Sequence, residues 1–245
     1  MKAEPAVQRR LLDLADADAE LGRIDHRRRT LPELAAIEEA EATLQVKRDA
    51  VVAAKTAHKD LSREITKQED EIEAVRARED RDRKLLNDGN VGARQITDLE
   101  HELETLGRRQ TALEDDQLEL MERREAVELG IQHAQAELSK AEETLADGQQ
   151  RRDLAMADLD TAQARRADER KKLVPVFPAD LLALYEKVRA QKGIGAGLLR
   201  ARRCGACRME LDRSAIATIR DAAADQVVRC EECGAILVRT PESGL

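Results

Sequence analysis

Four cysteines carry the clearest chemistry in the chain. They read Cys204-Gly-Ala-Cys207, then 22 intervening residues, then Cys230-Glu-Glu-Cys233-Gly234. Two residues between paired cysteines let both thiolates of a tight knuckle face one point, and Gly234 supplies a permissive backbone just after the second pair. Two knuckles brought together by a β-ribbon complete an all-thiolate tetrahedral site, which suits one structural Zn²⁺. Redox dithiols and an iron–sulphur cluster are the competing uses. Thioredoxin-like chemistry, however, needs a single pair on an accompanying βαβ unit, and no such unit is visible. No His, Asp or Glu stands in as a substitute ligand that would leave a coordination position for water, so the metal is expected to be structural. Glu231 and Glu232 lie between two ligands and are expected to face solvent. Four thiolates around Zn²⁺ leave a formal charge of −2, and Arg202, Arg203 and Arg208 are close enough in sequence to offset it. With Arg200 and Arg213 they also form a basic cluster capable of phosphate or partner contacts.

The elements that must position this site follow from hydropathy. Before it, Leu181, Leu182, Leu184, Tyr185 and Val188 predict a helix opening near Pro178 and running to about Arg189, set to buttress the ribbon. Gly193-Ile-Gly-Ala-Gly197 then reads as a flexible link and lacks the pattern of a phosphate loop. Between the knuckles, Leu211 to Ala224 looks helical with Ser214 as a cap, and Gln226–Val228 and Ala235–Val238 read as ribbon strands.

Upstream, the spacing 37, 40, 44, 47, 51, 54, 58, 61, 65, 68, 72, 75 alternates three and four and carries aliphatics at Ile37, Leu44, Val51, Leu61, Ile65, Ile72 and Val75. A second track runs from Leu99 through Leu106, Leu113, Leu120, Val127, Ile131 and Leu138 to Leu145. A 3.5-residue period sustained this long predicts a left-handed coiled coil. The turn-forming run Asn87-Asp-Gly-Asn-Val-Gly92 separates arms of similar length, so the expected fold is mainly α: a long antiparallel coiled-coil hairpin plus a small C-terminal β zinc ribbon. The expected division is a hairpin over 1–173, with its tip near 87–93 and a break near 30–32, and a linker helix with the ribbon over 174–245. Thr30-Leu-Pro-Glu33 suggests the break, through a capping box and a proline suited only to a first helical turn. Polar seam positions such as Lys47, Gln68, Gln110 and Gln117 are expected mainly to snorkel at the edge of a thin seam.

Composition supports this division. The chain has no Trp, one Tyr and one Phe, so its 42% hydrophobic content suits narrow helical seams better than a large aromatic core. The net charge of −8 would repel a polyphosphate at long range, leaving only local nucleic-acid contact. No apolar run approaches the roughly 18 residues of a membrane span, and Met1 to Arg10 lacks the apolar stretch of a secretory signal, so a cytoplasmic protein with no membrane partner is expected. His26, His58, His101 and His133 are scattered along the arms with no nucleophile–base grouping, so neither catalysis nor a small-molecule substrate is expected.

Paired long helices, then Leu-Leu-Ala-Leu-Tyr-Glu-Lys-Val-Arg (181–189), a glycine-rich link, Cys-Gly-Ala-Cys-Arg-Met-Glu-Leu (204–211) and Cys-Glu-Glu-Cys-Gly-Ala-Ile-Leu-Val (230–238) resemble the bacterial C4-type zinc ribbon coiled-coil family, in an actinobacterial or mycobacterial version. The resemblance implies zinc on Cys204, Cys207, Cys230 and Cys233. It also implies either a nucleic-acid-binding role or a chaperone or adaptor role of the kind relatives play toward a sigma factor. The reading of the residues favours an adaptor working through protein–protein contacts. Nucleic-acid regulation through the ribbon's basic cluster is the alternative, weakened by the absence of a ribbon aromatic for base stacking.

Overall fold

The computed structural model describes residues 1–89 and 92–244. Three long helices dominate: α1 (Pro5–Arg29), α2 (Pro32–Asn87) and α3 (Ala93–Leu173). They are followed by α4 (Ala179–Lys192), strands β1 (Ala196–Arg200) and β2 (Arg203–Cys204), helix α5 (Arg213–Asp221), and strands β3 (Val228–Arg229) and β4 (Ile236–Val238). Of the turn cluster between α2 and α3, residues 90 and 91 lie outside the described residues. The chain divides into two compact units, residues 35–149 and residues 1–34 with 150–245.

In the first of these, α2 and α3 form the antiparallel hairpin that the 3.5-residue period calls for. Arg78 pairs with Glu102, Gln68 donates to the Leu113 carbonyl at 3.1 Å, and Lys47 meets Glu137 at 3.3 Å, so numbers falling along α2 meet numbers rising along α3. All seven aliphatics of the α2 track are buried. On α3, Leu99, Leu106 and Ala141 are buried while most of the track is half-buried, as expected where only two helices share a seam. Three of the polar seam residues reach across it, Lys47 and Gln117 to carboxylates and Gln68 to a backbone oxygen, and so tie the register of one arm to the other. The α2 track also continues past Val75 to Glu79 and Asp82, both buried, and among the described residues Asp82 Oδ2 has no hydrogen-bond partner.

The break between α1 and α2 has a different local cause from a capping box. Thr30 ends α1, its hydroxyl donating back to the His26 carbonyl at 3.0 Å, and Pro32 opens α2 where a missing N–H costs nothing.

In the other unit, α1, α4 and the sheet share one core of Leu11, Leu14, Phe177, Leu181, Tyr185, Ala196, Ile236 and Val238. The sheet order is β2-β1-β4-β3, with β1 parallel to β4 and the other pairs antiparallel. β1 corrects the sequence reading, since the glycine run taken for a flexible link leads straight into a central strand. A Cβ on Gly195 would lie 2.5 Å from the Tyr185 ring, and one on Gly197 would lie 2.5 Å from the Ala206 nitrogen. These glycines therefore serve close approach. The helix between the knuckles is likewise shorter than expected. Its cap is Asp212, which accepts the Ala215 N–H at 2.7 Å, while Ser214 donates to the Asp212 carboxylate. The strands beside the second knuckle are shorter too, β3 beginning at Val228 and β4 at Ile236.

Candidate metal centre

The two knuckles repeat one hydrogen-bond scheme. In the first, the Cys204 N–H donates to the Met209 carbonyl at 3.0 Å and the Arg208 N–H to the Cys204 carbonyl at 2.8 Å. In the second, the Cys230 N–H donates to Ala235 at 2.9 Å and the Gly234 N–H to Cys230 at 2.9 Å. Each knuckle thus folds back over its first cysteine, and the residue after its second cysteine turns through positive φ: 64° at Arg208 and 75° at Gly234. β1 and β2 present the first knuckle through a two-residue hairpin loop, Ala201-Arg202, whose φ values of 45° and 63° give the twist a tight hairpin needs. β3 and β4 present the second.

The four sulphurs lie within 4.8 Å of one another. Cys204 Sγ is 3.8 Å from Cys233 Sγ, and Cys207 Sγ is 3.9 Å from Cys230 Sγ. A tetrahedron with Zn–S bonds of about 2.3 Å has sulphur–sulphur edges of about 3.8 Å, so the donor set fits one zinc ion, while these separations are far too long for disulfides. The same four thiols make a poor cluster without a metal. Burial pushes Cys204 up to about 12, against the pull of backbone N–H groups of Cys207 and Ala206. Burial also acts to raise Cys207, but the Met209 N–H and the neighbouring thiols outweigh it and hold that thiol below its ordinary value. A bound divalent cation supplies the charge that makes four thiolates compatible, and its binding would release protons.

Apolar packing holds the site from behind. Leu199, Leu211, Ala215, Ile219, Val228 and Leu237 surround the buried Cys204 and Cys230. Arg239 spans the loop after α5, donating to the carbonyls of Ala222 at 2.8 Å, Ala223 at 2.6 Å and Gln226 at 2.7 Å. Residues 1–3 add to this edge: the Ala3 N–H donates to Asp225 at 2.8 Å and the Val227 N–H to Met1 at 3.1 Å. Neither clamp has a local sequence signal, since each is an ordinary residue meeting backbone far away in the chain.

The basic cluster is placed less simply. Arg200, Arg202, Arg203, Arg208 and Arg213 are all exposed. Arg200 and Arg203 are partners across the β1–β2 ladder, whereas Arg202 and Arg203 approach Glu210 at 3.5 and 3.9 Å. Arg208 lies in the first knuckle and Arg213 opens α5. Glu231 and Glu232 are exposed between their ligands.

A helical hairpin joined to a four-thiolate ribbon defines a class of zinc-binding coiled-coil scaffold. Residues 14–193 match the CT398-like coiled coil hairpin domain and residues 203–237 the C4-type zinc ribbon domain, and the chain belongs to this CT398-like coiled-coil hairpin family. An uncharacterized protein of Mycobacterium tuberculosis is 46% identical over 98% of both chains. A solved structure from Mycobacterium smegmatis is 47% identical, covers 98% of this chain and 100% of its own, and superposes with a TM-score of 0.88. CT398 from Chlamydia trachomatis, at 16% identity over 96% of this chain and 98% of its own, shares the fold with a TM-score of 0.71. The mycobacterial relatives mark this chain as an actinobacterial member. No helix among the described residues is long and apolar enough to cross a membrane.

Proposed function

We propose that this chain is a non-enzymatic cytoplasmic adaptor, in which Cys204, Cys207, Cys230 and Cys233 hold one structural zinc and the hairpin and ribbon both engage protein partners. The observation that carries this reading is the pairing of a closed metal site with a two-helix seam. The first has no position for a substrate, and the second leaves most of each helix surface exposed for recognition. Residues 35–149 carry 29 Asp and Glu against 17 Lys and Arg, a field that disfavours polyphosphates and favours basic or mixed protein surfaces. The proposed division places the hairpin over 1–173 and the linker helix with the ribbon over 174–245. The histidines are scattered along the arms, and the exposed Thr105 hydroxyl beside the His101 ring donates to the His101 carbonyl at 2.9 Å, which fits a role without catalysis.

Local nucleic-acid contact through the ribbon is the second reading, favoured by the exposure of all five arginines of its basic cluster and disfavoured by Glu210 beside two of them. Affinity capture from nuclease-treated and untreated lysate separates the two. The comparison is between the wild type and a variant with Arg200, Arg202, Arg203 and Arg208 all changed to Ala. A defined protein partner that survives nuclease and is retained by the variant supports the adaptor reading. RNA or DNA captured by the wild type alone supports the ribbon reading and overturns the first.

A further inference from the structure

Away from the ribbon, the facing surfaces of α1 and α3 line a half-open groove of about 570 Å³, within the range of small-ligand sites. Its rim carries four guanidinium groups, from Arg23 and Arg27 on α1 and Arg165 and Arg166 on α3, against one carboxylate, Glu20. Its floor is apolar: Ile24 and Leu159 are 8% and 6% exposed and belong to a small core with Leu31.

The four arginines are not equivalent. Arg23 donates to Glu20 at 2.6 Å and lies 4.0 Å from Asp16, and Arg166 donates to Glu169 at 2.6 Å. The Arg23 hydrogen bond holds Glu20 below the ordinary carboxylate range, so that pair stays ionised and mutually satisfied. Among the described residues, Arg27 and Arg165 have no carboxylate at ion-pair distance, and both are exposed at the rim. Arg27 stands in the last turn of α1, where a cation complements the helix dipole, but Arg165 lies two turns inside α3 and gains nothing of that kind. Two unpaired forks above an apolar floor form a surface with a definite chemical complement. The forks match phosphate oxygens in bidentate geometry, and the floor takes a flat organic group. The unit holding the groove is also the one with surplus positive charge, 25 Lys and Arg against 21 Asp and Glu, while the deficit falls in residues 35–149. At physiological salt the screening length is about 8 Å, so the groove acts on its immediate surroundings.

We infer that this groove binds a nucleotide, its phosphates on Arg27 and Arg165 and its base or sugar against Ile24 and Leu159. The nucleotide is either free or part of single-stranded RNA. This site is separate from the ribbon's basic cluster and does not depend on it.

The test uses the full zinc-loaded chain and two fluorescent probes, ADP and a short single-stranded RNA, titrated by anisotropy at two salt concentrations. Three proteins are compared: wild type, R27Q/R165Q, and the ribbon variant R202Q/R203Q. Saturable binding of either probe, weakened about tenfold or more in R27Q/R165Q and unchanged in R202Q/R203Q, supports the site, and the probe that binds identifies the source. For RNA, loss of two phosphate contacts should also flatten the salt dependence by about 1.4 in log–log slope. Because both side chains are exposed, the double variant should melt close to the wild type, losing only the complement that Arg27 gives the end of α1. If it does not, R165Q alone, which leaves the end of α1 intact, gives the reading. Binding of neither probe, binding unaffected by the groove substitutions, or binding lost only in the ribbon variant overturns the inference.

Discussion

Arg208 and Gly234 occupy equivalent places in the two knuckles, and only one of them is suited to its backbone. A left-handed conformation costs an L-residue about 1–2 kcal/mol, partly offset by the greater chain entropy glycine loses on folding. Arg208→Gly should therefore raise the stability of the zinc-loaded ribbon by about 0.5–1 kcal/mol, read as a shift in its urea midpoint, and an unchanged or lower midpoint would show that the arginine side chain has a compensating contact. Asp18 is a second residue whose role is structural. It is 2% exposed in its side chain, accepts from Tyr185 Oη at 2.7 Å and Arg170 Nε at 2.7 Å, and meets Arg189 at 3.1 Å. Burial and the Asp18 hydrogen bond push the Tyr185 phenol well above its ordinary range, so it remains a donor. Asp18→Asn should destabilise this unit by about 2–3 kcal/mol, at the low end for a broken buried pair because both arginines keep partial solvent contact. Tyr185→Phe should cost about 1 kcal/mol, and equal losses in denaturant melts would contradict the assignment of Asp18 as the hub. Asp212 makes a pH prediction. The Ala215 N–H, and then the Ser214 hydroxyl, hold its carboxyl below the ordinary value, so its cap contributes stability that is present above the unfolded pKa and lost as pH falls through the folded one. Asp212→Asn should flatten that acid limb of ribbon stability. An acid limb as steep as the wild type's would refute the linkage.

Among the elements, legibility followed the range of the interactions. The coiled-coil period was readable because each arm repeats its own pattern every turn, so no knowledge of the partner is needed. β1 was hidden because Ala196 and Gly197, which look like the end of a link, join Leu198–Arg200 in a strand only against β4, some forty positions later, through the parallel register Ala196–Ile236 to Leu198–Val238. The cap of α5 was misread by two residues, although Asp212 carries the usual acceptor for that position. The seam also holds an element-scale anomaly, since Glu79 and Asp82 stand where the period calls for aliphatics and one Asp82 oxygen is buried without a partner among the described residues. Replacing both by Leu should stabilise the hairpin by about 1–2 kcal/mol, because desolvated carboxylates in a seam lose more to burial than they recover. A lowered thermal midpoint for E79L/D82L would mean that Asp82 is satisfied in solution, as Glu79 already is by Arg83 at 3.1 Å.

For the molecule as a whole, the four-cysteine spacing was the one long-range feature written plainly in the sequence. Ligand spacing is fixed by metal chemistry rather than by the surrounding fold. The groove on α1 and α3 was not legible, because Arg27 and Arg165 stand 138 positions apart and meet only when the helices pack antiparallel. The proposed adaptor depends on a ribbon that is a metal-folded head, uses all four thiolates and leaves no position for chemistry. Native mass spectrometry of the intact chain, with and without a chelator and beside the C230S/C233S variant, tests this directly. The predicted result is one zinc per wild-type chain, lost to the chelator with the appearance of four alkylatable thiols, and none in the variant. A wild-type chain carrying no metal or an iron cluster, or a variant that keeps its zinc, would contradict it.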